Sequence, residues 1–398
     1  MDGSVSRRTV IGAALAAGIP TAVHAQTARR RIRMGVVGGN FGTSFYWHEH
    51  PDCVVEAVSD LIPERRKRLQ EVYRCAKAYE SLEKLILDPD VDAVAVFTGA
   101  PDHVRHCLAC LKQGKHVICA VPAAMTLEEC GRLLEAVKRT GLTYMMAETS
   151  WYHQSVISAR KWHREGRFGR IFYTEAEYHH PGLEPLFRNP DGSRSWRYGF
   201  PPMHYPTHCT GYLVGVTGER MTRVLCTGWG DGHPVLKDNP YKNPFWNETA
   251  FFTTSQGNGF RVGIYWNAPV GGTERGQWFG EKMTFYDPHP NGTGHILRRP
   301  SDQTERDDGG FIRKLAAFEA YAQPQWWKTE MLPAPLRHES GHDGSHTFLT
   351  HEFVDALVSE RKPEIDIHAA LAMTAPGIVA HQSALRGGEP LKIPSFDR

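Results

Sequence analysis

Between Arg31 and Thr149 short apolar runs alternate with amphipathic stretches, and this alternation constrains the fold more than any other feature of the chain. IRMGVV (32–37), CVVEAVSD (53–60), VDAVAVFTG (91–99), KHVICAV (115–121) and TYMMAE (143–148) read as strands. PERRKRLQEVY (63–73), PDHVRHCLACLKQG (101–114) and TLEECGRLLEAVKRTG (126–141) read as helices. Pro63 suits a first helical turn, Thr126 and Glu129 form a capping box, and Gly114 and Gly141 end their helices. Strands that alternate with helices form a parallel sheet covered on both faces.

After Trp151 the texture changes. One more helix, VISARKWHREGRFG (156–169), leads into RIFYTEAEYHH (170–180), where apolar and polar residues alternate as in a half-exposed strand. TAFFTTSQGNGFRVGIYWNAP (249–269) reads as a hairpin turning at Gly257-Asn258-Gly259, and EKMTFYDP (281–288) as another strand. Asp287 to Ser345 is rich in Gly, Pro and His and reads as surface loops; HTFLTHEFVDALVSE (346–360) and HAALAMTAPGIVAHQSAL (368–385) read as closing helices. The expected fold class is α/β: a Rossmann-type domain over 31–149, then an α+β domain over 150–398 with a largely antiparallel, open sheet.

Residues 1–25 stand apart. Arg7 and Arg8 precede a short apolar run, Val10 to Val23, and a small-residue cleavage site at Ala25. This is the pattern of a twin-arginine export signal, so a periplasmic or secreted protein is expected. The run is too short to span a bilayer, and no later segment approaches that length. A net charge of +2 without a long basic stretch leaves no footprint for nucleic acid. The eight cysteines fall in strand-like or helical runs, and the single Cys107-Leu-Ala-Cys110 pair lacks the second pair of a structural zinc site; buried small hydrophobes are expected.

The first strand runs into VVGGNFGTSF, an imperfect glycine fingerprint built from Gly38, Gly39, Asn40, Phe41 and Gly42. Such a turn, between a strand and a helix, lets backbone amides approach a pyrophosphate. Asp60 ends the second strand 18 residues after Gly42, where a carboxylate accepts hydrogen bonds from both ribose hydroxyls and repels a 2′-phosphate. NAD is therefore expected as cofactor, with Arg65 and Arg66 leaving NADP open. Thr98, Pro101 and His103 at the end of the third strand, Val121 after the fourth and Glu148 at the end of the fifth complete the cofactor side.

The landmarks GVVGGNFG, TGAPDHVRHCLACLKQGKHVICAVPAAMTLEEC, WHREGRFGRIFY, HYPTHCTGYLVGVTGE and HQSALRGGEPLKIPSF resemble the glucose–fructose oxidoreductase / inositol dehydrogenase / MocA (Gfo/Idh/MocA) family. The resemblance implies a Rossmann domain followed by an α/β domain whose open sheet often mediates oligomers. Family dehydrogenases carry Glu-Lys-Pro after the fourth main strand, with the lysine as acid/base at a sugar hydroxyl; this chain has Ala120-Val121-Pro122. VPAAMTLEEC, YMMAETSWY, EAEYHH, SWRYG and YPTHCTG are similar to a narrower branch, the exported NAD-dependent glycosidases typified by α-N-acetylgalactosaminidase. Ala120 stands where that branch has Glu.

On this resemblance the catalytic candidates are Glu148, Tyr178, His180, Tyr205 and His208, with Trp196 on the cofactor. It implies a redox-neutral reaction: oxidation at C3 of a sugar, loss of the acidified C2 proton, elimination at C1 and reversal. Tyr178 and His180 alternate along a strand and face one way, while Tyr205 and His208 share a face if their segment is helical. HxxxH at His204/His208 and the spacing of His338, His342 and His346 invite a metal reading, but Gly341 and Gly344 make the latter a poor helix and no metal is expected. The partner expected is a small carbohydrate or glycoside. A sugar dehydrogenase lacking the usual lysine and a non-catalytic carbohydrate-binding relic are the alternatives.

Overall fold

The first strand, β1 (Ile32–Val37), carries no charge after Arg33 because it lies in the middle of a sheet. It is joined by β2 (Cys53–Ser59), β3 (Ala78–Tyr79), β4 (Ala93–Val96), β5 (His116–Cys119) and β6 (Tyr144–Met146) in the order β3-β2-β1-β4-β5-β6, all parallel. Helices α1 (Pro63–Tyr73), α2 (Leu82–Leu85), α3 (His103–Lys112) and α4 (Leu127–Thr140) make the crossovers. Every residue of β4 is buried, as expected of a parallel strand covered on both faces. The strand order reverses direction between β1 and β4, the point where open α/β sheets bind ligands. At α4 the Glu129 amide donates to Thr126 Oγ1 at 3.1 Å, and the Glu129 carboxylate accepts from the Met125 amide at 2.9 Å.

This computed structural model describes residue 1, 31–181, 183–189, 191–268, 273–287, 293–298, 304–314 and 317–397. The twin arginines and apolar run of the predicted export signal lie outside the described residues. The expected helix after the glycine turn is replaced by two single 3-10 turns, Phe41–Ser44 and Trp47–Glu49, with Tyr46 left-handed between them. Gly42, Thr43 and Ser44 are weak helix formers. The carbonyls a helix would have bonded are taken from outside, by His346 Nδ1 at Ser44 and Thr350 Oγ1 at Phe45.

Beyond α5 (Gln154–Arg164) come β7 (Ile171–His179), α6 (Thr207–Thr217), β8 (Met221–Trp229), α7 (Pro234–Lys237), β9 (Asn247–Thr254), β10 (Gly259–Tyr265), β11 (Thr273–Gly280) and β12 (Met283–Tyr286). The region read as loops holds strands as well: β13 (Gly294–Arg298), β14 (Thr304–Arg306), β15 (Ile312–Lys314) and β16 (Ala317–Tyr321). β14 and β16 expose most of their side chains, so the burial alternation that marks a strand is weak in them; β13, between β16 and β12, keeps it over only five residues. α8 (Gly341–Val358), α9 (Ile367–Leu385) and β17 (Leu391–Lys392) close the chain. Among the described residues the large second sheet runs β16-β13-β12-β11-β7-β10-β9-β8-β17, antiparallel except at β7–β10.

Residues 31–398 form one compact unit. α6 is apolar almost all round because it is buried beneath β7 and β11. The returning C-terminal helices pack on the first sheet: Met146 of β6 bonds the Ile365 carbonyl at 3.1 Å, and Thr374 of α9 accepts from the Ala123 amide at 3.2 Å. All eight cysteines are buried thiols, as expected. Among the described residues no helix is long and apolar enough to cross a membrane.

Tyr212 of α6 lies against Gly276 of β11, where an added Cβ would sit 2.3 Å from the ring. The Gly276→Ala variant is expected to lose about 1–3 kcal/mol of stability through overpacking, read as a lower midpoint in urea unfolding.

Candidate active site

On the cofactor side Gly38 has φ +105°, and a Cβ there would meet the Phe97 carbonyl at 2.1 Å, so only glycine fits. Asp60 follows β2; its carboxylate accepts from the Gly39 amide at 2.6 Å and the Ile62 amide at 2.8 Å. Arg66 donates to the Asp60 carbonyl oxygen at 2.8 Å. Asn40 lies exposed on the turn, its carbonyl accepting from Thr43 Oγ1 at 2.8 Å. Phe41 sets its ring edge-on to Phe97 at 5.3 Å and to His342 at 5.8 Å. Trp196 packs over Gly99, beside Thr98 and Pro101. The glycine turn and the carboxylate at the end of β2 are the parts a bound dinucleotide needs, and these residues fit NAD.

His103 is buried, with Nδ1 2.7 Å from the Pro122 carbonyl and Nε2 3.1 Å from the Thr98 carbonyl. It pins the turn after β5 to the end of β4. Ala120, Val121, Ala123 and Ala124 are all buried in that turn, so it shapes the cleft through packing.

The reactive groups converge across the cleft from it. Glu148 follows β6 and is fully buried; its Oε1 accepts from the Ser150 amide at 2.8 Å and from His208 Nδ1 at 2.9 Å. Glu274 of β11 reaches the same imidazole nitrogen at 3.4 Å and accepts from the Ser150 hydroxyl. His153 Nε2 lies 3.4 Å from Glu274 Oε1, and its Nδ1 meets the Tyr212 hydroxyl at 3.0 Å. Burial pulls the His208 imidazole down, but the Glu148 and Glu274 carboxylates overcome it and hold its pKa well above the usual value. Burial likewise pushes Glu274 up, and His153 and His208 overcome that to hold it well below the usual carboxylate range. At neutral pH His208 is therefore an imidazolium anchored at Nδ1. Its Nε2 has no hydrogen-bond partner among the described residues.

Aromatic rings frame that free edge. Tyr178 lies 4.7 Å from His208 and 5.7 Å from His180, and Tyr205 lies 5.0 Å from His208. Burial raises the Tyr178 phenol well above its ordinary pKa and so keeps it a neutral donor; burial lowers His180. All five catalytic candidates thus meet in one place. The helical spacing expected for Tyr205 and His208 is not how they meet: Tyr205 ends a 3-10 turn, Pro206 intervenes, and α6 begins at Thr207.

The histidine pairs singled out for metal are otherwise engaged. His204 turns to His381, 5.0 Å away, and His342 bonds His346. The potential ligand atoms of Glu148, His208 and Glu274 lie within 4.8 Å of one another, a closeness their shared hydrogen bonds account for. Glu274, Ser150, His153 and His342 were not singled out as reactive by the sequence. Glu274 is the cross-strand neighbour of Tyr178, a signal that exists only once β7 and β11 are paired.

Comparison with known proteins agrees with this arrangement. Residues 32–148 match the profile described as oxidoreductase family, NAD-binding Rossmann fold, and residues 307–398 match the glycosyl hydrolase 109 C-terminal domain. A glycosyl hydrolase family 109 protein of Streptomyces coelicolor is 24% identical, with 99% of this chain and 94% of that protein covered. One of Solibacter usitatus is 27% identical over 80% of this chain and 74% of its own. Among solved structures, levoglucosan dehydrogenase in complex with NADH shares the fold at TM-score 0.72 and 17% identity, covering 92% of this chain and 100% of that one.

Residues 32–148 are thus similar to the NAD-binding Rossmann domain of the Gfo/Idh/MocA oxidoreductases. The C-terminal part of the chain is similar to that of glycosyl hydrolase family 109, and the protein is an NAD-dependent enzyme that acts on a carbohydrate.

Two outcomes test the electrostatics. Glu148→Gln removes the nearer carboxylate, and the His208 titration followed by NMR is expected to move down in pH. Asp287, bonded to Ser155 Oγ at 2.8 Å, is pushed up to about 7 by burial. Its folded pKa exceeds its unfolded one, so it erodes stability as pH rises from about 4 through about 7. Asp287→Asn is therefore expected to raise the urea midpoint at pH 8 and leave it nearly unchanged at pH 4.

Proposed function

We propose that the protein is an exported, redox-neutral glycosidase working on a small carbohydrate or glycoside. The observation that carries this reading is His208, anchored by carboxylates at Nδ1 and offering a protonated Nε2 to the cleft. A dehydrogenase needs a group that takes a proton; departure of a C1 substituent needs one that gives it. When bound, NAD supplies a reversible two-electron acceptor for the sugar's C3 carbinol. His208 Nε2–H donates to the leaving oxygen, and the neutral Tyr178 phenol orients a ring hydroxyl. Rings of Tyr205 and Trp266 beside Tyr178 exclude water from that side. The relatives named as family 109 glycosyl hydrolases support the same reading.

Incubated in D₂O with 4-nitrophenyl glycosides, the enzyme is expected to place deuterium at C2 of the released sugar without net NADH. NADH accumulating in step with product would make it a dehydrogenase instead. His208→Gln is expected to cost about 10²–10⁴-fold in rate, more for poor leaving groups than for 4-nitrophenol.

The twin-arginine pattern at Arg7 and Arg8 supports export with the cofactor already bound. Mass spectrometry of the periplasmic protein is expected to find cleavage after Ala25 and retained NAD.

The outer face of the second sheet supports association with a second copy of the chain. Leu225 and Phe251 are exposed cross-strand neighbours, and ring contacts continue the row through Tyr173, Phe279 and Tyr286. An open apolar row of this length is an interaction surface. Light scattering is expected to show a dimer or larger oligomer that Phe251→Glu converts to monomer.

A further inference from the structure

We propose that His342 is a further catalytic residue of this site, its Nε2 accepting the proton of the sugar hydroxyl that is oxidised. The proposal rests on the reading that a sugar carbinol is oxidised in this cleft, and it holds for glycosidase and dehydrogenase alike.

The argument begins at the carbonyl of Ser44. His346 Nδ1 lies 2.9 Å from that oxygen, and a carbonyl only accepts, so Nδ1 carries the proton. His342 Nδ1 lies 2.8 Å from His346 Nε2. A neutral His346 protonated at Nδ1 has a bare lone pair at Nε2, so His342 Nδ1 must be the donor. A neutral His342 is then left with its lone pair at Nε2. One backbone carbonyl, acting through two imidazoles, fixes which nitrogen of His342 is basic.

The environment keeps both rings in that state. Burial pushes His342 down to about 4 and His346 down to about 3. The charged and titratable groups whose charges act on His342 are Glu274 of β11, His208 of α6, and His153 and Glu148 on either side of the 149–152 turn, besides the bonded His346. The His342 ring is packed edge-on against Phe41 of the glycine turn at 5.8 Å and tilted against His346 at 4.9 Å, while the residue keeps access to solvent.

His208 and Tyr178 are both donors at neutral pH, so the proton acceptor at the sugar hydroxyl is sought among the neutral imidazoles, His180 and His342. Two imidazoles pushed in opposite directions make an acid/base pair, with His208 the acid and His342 the base. His180 is also held neutral, but its ring contacts are Tyr178 and Trp266, away from the glycine turn. Backbone geometry sets His342 in place: His342, Asp343 and Gly344 are all left-handed, and Asp343 is tied to Gln154. Such strain in two non-glycine residues persists where the surrounding structure enforces it.

In the step, the hydroxyl O–H breaks and its proton goes to Nε2, giving an imidazolium that still donates from Nδ1. The O–H electron pair becomes the second bond of the carbonyl, and the C–H pair leaves to NAD, the oxidant.

The test uses the full mature chain loaded with NAD⁺. Single-turnover reduction of the bound cofactor, followed at 340 nm with a panel of 4-nitrophenyl hexosides and N-acetylhexosaminides, is expected to slow about 100-fold or more in His342→Gln. NAD affinity by calorimetry is expected to stay within about twofold, which separates a chemical defect from a folding defect. Ring-¹⁵N histidine NMR is expected to show His342 as the Nδ1–H tautomer at pH 7, and His346→Leu to release that preference. Reduction within about threefold of wild type in His342→Gln, a comparable loss in His180→Gln alone, or an Nε2–H tautomer at pH 7 would each overturn the proposal. Cofactor reduction without cleavage would end the glycosidase reading and leave His342 standing. Cleavage with C2 exchange that survives His342→Gln would do the reverse.

Discussion

The site depends on one buried ion pair, His208 Nδ1 against Glu148 Oε1 at 2.9 Å. Glu148 is fully buried and His208 nearly so, and either charge alone would cost several kcal/mol to bury. Together, with the Ser150 amide and Glu274 adding hydrogen-bonding and charge, they hold the end of β6, the turn after it, the start of α6 and β11 to a single imidazole. Removing one partner of such a pair typically costs about 3–5 kcal/mol, because the other charge is left stranded. The pair therefore fixes geometry and protonation at once.

A second constraint comes from the far end of the chain. α8, α9 and the segment between them return to the first domain and supply what it lacks: partners for the Ser44 and Phe45 carbonyls, a hydroxyl for the Ala123 amide and the Ile365 carbonyl for the Met146 amide of β6. The turn Ala120-Val121-Pro122 is consequently packed from several sides and pinned by His103. A lysine-bearing turn would present a charge to the cleft; this one presents a wall. Acid and base have moved to β6, α6 and, in our proposal, α8.

Much of this was legible beforehand. Alternating apolar runs in the first 150 residues mark the parallel sheet because burial on both faces demands continuous hydrophobic strands. Glu148, Tyr178, His180, Tyr205 and His208 were singled out and do converge. Of the strands missed between Asp287 and Ser345, β14 and β16 expose most of their side chains and so lose the alternation that reveals a strand, and β13 is only five residues long. The helix after the glycine turn was expected from the fingerprint, and tertiary hydrogen bonds from α8 replaced it.

By itself the sequence determined the five main strands of the first sheet and the long helices between them from Pro63 on, the glycine turn that admits no side chain, and the residue types available for chemistry. These depend on local periodicity and on steric rules that act over a few residues. Only the tertiary structure decided which of two candidate histidines is charged, since that depends on carboxylates 60 residues before His208 and 66 after it. Glu274 enters because β11 pairs with β7, and His342 because α8 folds back to the carbonyl of Ser44. Protonation state is set by neighbours in space, and a linear sequence does not say who they are.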